Sequence, residues 1–410
     1  MKPSLDVRES RRLFLKFLAG SPALAYFGLP AFAEQGPQSA IRYAGMGDGP
    51  IASPDDALNV FDFETVAERE LPPAHWGYMA TGTDDDATIR ANRKGFEHFQ
   101  LRARRLVDVR EIDMSTEILG RKWPTPIVIA PTGSNQAFHA DGELAVTRAA
   151  KAKETLQILS TVSSTSIEDV VEARGEPVWY QLYPRYSWDV TKAIVTRAER
   201  AGCPAIVLTV DLLGGSNRET VKRFAKTDMR ECSVCHTEGP LTRPMYEGLD
   251  IPSGRNDYTR GLTWDYVRQV REHTSMKVLI KGIVTAEDAA LALDNGVAGI
   301  IVSNHGGRAE ASMRSTIECL PEIVDTVRGR IAVLVDSGFR RGTDFFKALA
   351  IGADAVCIGR PYLWGLASFG QAGVEAVLEL LKMELEIVMR QMGTPSIAQI
   401  TSSRIVDRSG

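Results

Sequence analysis

The chain has 410 residues, with 48 Lys+Arg against 52 Asp+Glu and a formal net charge of −4. Hydrophobic residues make up 44% and charged residues 24%, a soluble globular balance that excludes disorder or a collagen-like architecture for the whole. Near-neutral charge without a long Lys/Arg block argues against a nucleic-acid partner, and five dispersed cysteines are too few for a disulfide framework.

Residues 10–16 read Ser-Arg-Arg-Leu-Phe-Leu-Lys and lead into a mostly apolar run that ends in Ala31-Phe32-Ala33. A charged start, a short apolar stretch and a small-x-small site form a secretory signal peptide over residues 1–33. Gly20, Pro22, Gly28 and Pro30 break the apolar run, which favours cleavage over a membrane anchor. The Arg11-Arg12 pair resembles the twin-arginine export signal, so a periplasmic or otherwise exported protein is expected. That signal carries folded proteins, so it implies a cofactor inserted before transport. Residues 34–54 read as a linker. Its Gly45-Met46-Gly47-Asp48-Gly49 follows no strand and opens no helix, so it is not a dinucleotide loop. Ser53-Pro54-Asp55-Asp56 starts a helical segment assigned to residues 55–123.

From Pro124 to the C-terminus, short apolar runs recur at 127–130, 156–160, 178–182, 205–210, 278–281, 299–302, 332–335 and 355–358. Amphipathic stretches at 141–153, 191–201, 285–295 and 341–351 lie between them. Continuous apolar strands alternating with helices specify a parallel sheet covered on both faces, and eight such units match an α/β fold of the (β/α)8, or TIM, barrel type. An open doubly wound sheet is the alternative. One connection, from Asp211 to about Lys277, is far longer than a helix needs and reads as a long loop after strand four, with helix at 262–273.

The runs stop at Ala130-Pro131-Thr132, Ser160, Gln181-Leu182-Tyr183, Thr209-Val210-Asp211, Lys281, Ser303-Asn304-His305, Asp336-Ser337-Gly338 and Gly359-Arg360. A barrel gathers these ends on one face, where barrel enzymes place their sites. The last two loops combine glycines with Arg340 and Arg360, the chemistry of a phosphate site. Thr132, Ser160, Gln181, Thr209 and Ser303 offer neutral hydrogen bonds to a planar ring and Lys281 a fixed cation, which suits flavin mononucleotide (FMN). The alternative for the hydroxyls and Gln181 is that they are satisfied polar groups of the barrel rim. His305, with Asp211 available to hold its ring, fits an oriented general base. Arg218 and Arg308 can grip a substrate carboxylate from two loops, and Tyr78 and Tyr183 offer phenols.

Ser303-Asn304-His305-Gly306-Gly307-Arg308 and Asp336-Ser337-Gly338-Phe339-Arg340-Arg341-Gly342-Thr343-Asp344 carry a specific likeness. Leu279-Ile280-Lys281-Gly282, Ile358-Gly359-Arg360-Pro361 and Ala130-Pro131-Thr132-Gly133 support it. From about residue 61 to 407 the chain resembles the FMN-dependent L-2-hydroxy-acid oxidase and dehydrogenase family, which includes glycolate oxidase, L-lactate dehydrogenase and mandelate dehydrogenase. The resemblance implies His305 as base with Asp211 as charge partner. It implies Arg308, Arg218, Tyr78 and Tyr183 around the substrate, and Lys281 beside the reduced flavin. Ala130, Thr132, Ser160, Gln181, Thr209, Ser303, Asp336, Gly338, Arg340, Gly359 and Arg360 would line the cofactor. The expected partners are a small 2-hydroxy acid and an electron acceptor such as a quinone, a cytochrome or oxygen, in a homo-oligomer.

The chain departs from the family's usual pattern after Arg308, where Ala309-Glu310-Ala311-Ser312 replaces a Leu-Asp pair and a following Pro. Val162 and Gly214-Gly215-Ser216 stand where larger residues are usual, which implies a roomier pocket, and Gly133 leans towards a dehydrogenase. The long loop holds Cys232-Ser233-Val234-Cys235-His236, the C-x-x-C-H attachment motif of c-type haem. Haem is attached to unfolded chain after export, which conflicts with a twin-arginine signal. A labile disulfide or a partial metal site are the rival readings, and a non-catalytic carboxylate receptor is a rival for the whole protein.

Overall fold

The computed structural model describes residues 50–212, 215–229, 243–251 and 258–408. The described chain opens with helices α1 (Val60–Glu70), α2 (Pro73–Ala80) and α3 (Ala87–Lys94), then short strands β1 (Phe99–Leu101), β2 (Thr116–Ile118) and β3 (Arg121–Trp123). Eight strands follow: β4 (Ile127–Ile129), β5 (Leu156–Ser160), β6 (Trp179–Leu182), β7 (Ala205–Thr209), β8 (Lys277–Ile283), β9 (Gly299–Val302), β10 (Ala332–Val335) and β11 (Ala355–Ile358). They close in the order β10-β11-β4-β5-β6-β7-β8-β9. Helices α4 (Gly142–Ala152), α5 (Ile167–Arg174), α6 (Trp188–Arg200), α7 (Glu219–Thr227), α8 (Trp264–His273), α9 (Ala286–Asp294), α10 (Thr316–Val327) and α11 (Gly342–Ile351) connect them. The long α12 (Arg360–Met392) and strand β12 (Ile405–Asp407) complete the chain. Ser166, Ser187 and Thr285 cap α5, α6 and α9 through their hydroxyls, so each of these returns starts where a side chain satisfies a free N–H. The expected eight-stranded barrel is the observed fold.

The apolar runs look continuous because both faces of each strand are buried, yet the period-two alternation decides what each residue meets. Val128, Leu156, Ile158, Trp179, Ala205, Val207, Leu279, Ile301, Leu334, Ala355 and Cys357 form the inner cluster of the barrel. Their neighbours Ile127, Ile129, Leu159, Tyr180, Ile206, Leu208, Ile280, Ile300, Val335 and Val356 belong to the outer cluster beneath the helices. Two residues beyond the last inner apolar position, the same register reaches Ser160, Gln181, Thr209, Lys281, Ser303 and Asp336. These six therefore form a polar layer at the carboxyl end of the barrel, all buried.

The segment read as helical, 55–123, is helical only as far as His98. Beyond it, β1 pairs antiparallel with β12, and β2 pairs with β3 as a hairpin. Ile118 and Trp123 of that hairpin join the inner cluster, so it plugs the amino end of the barrel. A barrel floor needs two apolar side chains from a short turn, and no helical periodicity is available to signal it.

Helix α12 breaks at Phe369 and Gly370 and folds its first part back on its second. Gly365 and Gly373 meet at this crossing, where a Cβ on Gly365 would lie 2.4 Å from the Gly373 carbonyl oxygen. Among the described residues no helix is long and apolar enough to cross a membrane. Gly365→Ala is expected to destabilise the fold by about 1–3 kcal/mol through overpacking. A lower urea midpoint at unchanged m-value checks this.

Candidate active site

A cleft of about 780 Å³ opens at the carboxyl end of the barrel, lined among others by Tyr78, Thr132, Tyr183, Lys281, His305, Arg308, Arg340 and Arg360. Ala130, Asp336, Gly338 and Gly359 also face it. Ser160, Gln181, Thr209 and Ser303 are brought to the same end but lie just behind its wall. There Ser160 Oγ donates to Gln181 Oε1 (3.0 Å) and Gln181 Nε2 to Thr209 Oγ1 (2.9 Å). These groups satisfy one another across β5, β6 and β7.

At the floor of the cleft Lys281, only 4% exposed, has its Nζ 3.5 Å from Asp211 Oδ2 and 3.4 Å from Asp336 Oδ2. It also donates to Ser303 Oγ at 2.7 Å. Burial opposes its charge, but Asp336 and Asp211 outweigh burial and raise its pKa. Gly282 allows this approach: its φ is +112°, and a Cβ there would lie 2.7 Å from Asp211 Cβ. Burial raises the Asp211 carboxyl, and His305 and Lys281 more than offset it, so Asp211 stays ionised.

His305 Nδ1 lies 2.7 Å from Asp211 Oδ1, and its Nε2 lies 3.2 Å from the Tyr183 hydroxyl. An ionised carboxylate only accepts hydrogen bonds, so Nδ1 carries the ring proton and Nε2 the lone pair. Burial, with help from Lys281 and Arg308, depresses the imidazole pKa against the pull of Asp211. Burial and Asp211 raise the Tyr183 phenol, which stays protonated and donates.

Across the cleft the Arg308 guanidinium lies 4.4 Å from the Tyr78 ring centre and the Arg218 guanidinium 5.1 Å. Burial raises the Tyr78 phenol, but Arg308 and Arg218 outweigh it and lower the pKa. Arg218 does not open into the cleft as expected. Its Nη2 donates to Tyr78 O (2.7 Å) and to the Thr81 hydroxyl (3.2 Å), because the carbonyls at the end of α2 have no intrahelical partner. Arg360 does the same, donating to Met79 O (2.9 Å), Thr81 O (3.2 Å) and Gly306 O (2.8 Å). Sequence reasoning missed Asn92, whose side-chain amide exchanges paired hydrogen bonds with Asn304 (2.9 and 2.8 Å) and ties α3 to the His305 loop. A buried Asn in the last turn of α3 carries no pattern that would have shown a partner 212 residues further along the chain. Cys232, Cys235 and His236 lie outside the described residues, as does the proposed signal peptide.

Residues 67–407 match the FMN-dependent dehydrogenase family. The chain belongs to that family. It is 40% identical over 368 residues to "Glycolate oxidase 1" of Zea mays, covering 86% of this chain and 97% of the relative. It is 41% identical over 355 residues to a peroxisomal (S)-2-hydroxyacid oxidase of Arabidopsis thaliana, covering 86% and 97%. Its structure is similar to that of a soluble mutant of the membrane-associated (S)-mandelate dehydrogenase of Pseudomonas putida, with a TM-score of 0.79, 33% identity and coverage of 86% and 100%.

The residues of this family member fit FMN. Arg340 is a buried guanidinium and Arg360 a half-buried one, and neither guanidinium has a carboxylate bonded to it among the described residues. Burial and Arg93 lower Arg340 to about 10, and burial and Arg340 lower Arg360 to about 9. A buried cation without an anion is costly, and a phosphate supplies the missing charge. Arg340 also lies 4.6 Å from the Trp364 ring, which holds it in the cleft wall. Arg340, Arg360 and Gly359 would hold the phosphate, and Lys281 and Thr132 the ring side. Arg340→Met is expected to weaken FMN binding about 10- to 100-fold, the effect of losing one hydrogen-bonded charge. Fluorescence titration of apoprotein with FMN measures it.

Proposed function

We propose that this enzyme oxidises an L-2-hydroxy acid, lactate-like or larger, to the 2-oxo acid and passes the electrons to an acceptor other than NAD. The observation that carries the reading is the pairing, in one cleft, of a His305 base oriented by Asp211 with the cation Arg308. FMN bound in the cleft supplies the two-electron acceptor. Arg308 binds the substrate carboxylate with parallel N–H donors, and the Tyr78 phenol adds a further polar contact. This turns the α-carbon towards His305 Nε2, which takes up a proton. Asp211 steadies the imidazolium through Nδ1, while Tyr183 donates to the oxygen side of the substrate. Lys281 holds a fixed positive charge under the ring end of the cleft. Val162 in the cleft wall leaves room for a side chain.

A carboxylate receptor needs the arginine alone, whereas the His305–Asp211 pair and the buried Lys281 cost stability without aiding binding. That contrast favours an enzyme. His305→Ala is expected to retain FMN and to lose about 10²- to 10⁴-fold in the rate of anaerobic flavin bleaching by a 2-hydroxy acid. Because the imidazole pKa lies below its ordinary value, kcat/KM of the native enzyme should hold at neutral pH. It should fall only as acid protonates Nε2, at a midpoint below 6.5. Bleaching at the native rate in the variant removes His305 from the role.

The export reading is supported by Arg11-Arg12, the broken apolar run and Ala31-Phe32-Ala33. In it the mature enzyme starts near Glu34 and leaves the cytoplasm with flavin bound. Replacing Arg11 and Arg12 by Lys keeps the charge and is expected to strand flavin-loaded, active enzyme in the cytoplasm. Fractionation with FMN quantitation checks it, and undiminished export of the double variant overturns it.

A further inference from the structure

The loop that carries His305 is fixed from several sides. His305 itself has φ +59°, and Gly306 and Gly307 follow at +69° and +77°. Its backbone N–H donates to Ser303 Oγ (3.0 Å), the same oxygen that receives Lys281 Nζ. The next peptide is held by a residue of a different loop: Gly306 N–H donates to Ser337 Oγ at 2.9 Å. Ser337 Oγ in turn donates to Asp336 Oδ1 at 2.6 Å, while the other Asp336 oxygen faces Lys281. Lys281 faces Asp211, and Asp211 holds the His305 ring. The contacts close a ring that leaves the imidazole through Asp211, Lys281, Asp336 and Ser337. It returns through the Gly306 N–H to the backbone of His305.

Ser337 is buried and faces the cleft. Its φ is +79°, a conformation that side chains other than glycine adopt at a cost. Such strain persists where surrounding contacts over-determine it, and here they are the two made by the hydroxyl together with the Thr316 hydroxyl that donates to the Ser337 carbonyl (3.3 Å). Glycine would be comfortable at this φ but would leave the Gly306 N–H and one Asp336 oxygen without this partner. The Gly306 carbonyl is pinned separately by Arg360, so the serine decides the orientation of the peptide on the histidine side alone.

We propose that Ser337 is a positioning residue for His305, its hydroxyl closing the ring that sets the imidazole relative to Lys281 and the α-carbon of the substrate. The proposal rests on the reading of His305 as proton acceptor. It assigns Ser337 no contact with substrate, so its loss is felt in turnover and not in substrate affinity.

The test compares Ser337→Gly and Ser337→Ala in the FMN-loaded, full-length enzyme. Ser337→Gly removes the hydroxyl and relieves the backbone, whereas Ser337→Ala removes the hydroxyl and keeps the strain. Both are expected to lower kcat per bound FMN about 10- to 100-fold, the effect of misplacing a catalytic group, with KM changed less than about twofold. The Tm of Ser337→Gly should equal or exceed that of Ser337→Ala. With 15N-labelled histidine, the Nδ1 resonance of His305, assigned by its disappearance in His305→Ala, should shift in both variants. Native kcat per bound FMN in Ser337→Gly overturns the proposal, as does a loss seen in Ser337→Ala alone, which would assign the effect to strain. A fall confined to Tm or FMN content, with kcat per bound FMN and the His305 resonance unmoved, would make the serine merely structural. Unimpaired bleaching by His305→Ala would instead strike down the proton-acceptor reading, and the positioning role with it.

Discussion

The ammonium of Lys281 sits at the top of a barrel otherwise filled by Leu279, Ile301, Leu334 and their inner neighbours, with a carboxylate on each side. Burying a lone ammonium there would cost several kcal/mol, so the two carboxylates are a condition of its presence. Two acids and one base leave the group one positive charge short of neutrality. In the proposed reaction a proton arriving at His305, against Asp211, supplies that charge without any group having to move. The same cluster that makes Lys281 tolerable thus prepares the site for an imidazolium, and the surrounding loops are arranged to keep these groups in register.

Much of this arrangement was legible in the sequence because the inner register of a strand does not stop where its apolar residues do. Leu279 faces inward, so Lys281 does too; Leu334 does, so Asp336 must. Eight runs in phase therefore announced both the barrel and the end at which its polar layer lies. The strand bounds at 156–160, 299–302, 332–335 and 355–358 agree to the residue, since each run is short and flanked by turn residues. The β2–β3 plug was not legible, because three-residue strands are too short to show a period. Nor was the direction of Arg218 or Arg360. An arginine beside a cleft has no local signal that separates a ligand-binding role from capping a helix that arrives from a distant part of the chain.

That capping role explains how the substrate side of the cleft is built. Helix α2 ends at Ala80 without a glycine to turn its last carbonyls back, and its C-terminus carries partial negative charge. Arg218, from the long loop after β7, and Arg360, from the start of α12, take those carbonyls between them. Tyr78 lies in the last turn of the same helix, so its phenol is held over the cleft by two guanidiniums that bind its backbone neighbourhood. One of the two also grips the Gly306 carbonyl, which places the Tyr78 helix and the His305 loop in contact with a single rigid group.

The two sides of the cleft therefore differ in origin. His305, Asp211, Lys281 and Asp336 stand at or just beyond strand ends, where the closed sheet leaves them little freedom. Tyr78 and Arg218 belong to a helix and a connection outside the barrel, which tolerate replacement and insertion without disturbing the sheet. Under the proposed function, proton transfer needs fixed distances and is met by the residues at the strand ends. Recognition of a side chain needs variety and is met by the outer segments. Arg360 joins the two, and this limits how far the outer segments can change: a replacement that moved the end of α2 would pull on the guanidinium that steadies the loop of His305. Changes in the room of the cleft are accordingly easiest at a position that touches neither, such as Val162 in its wall, where a larger or smaller side chain leaves both clamps in place.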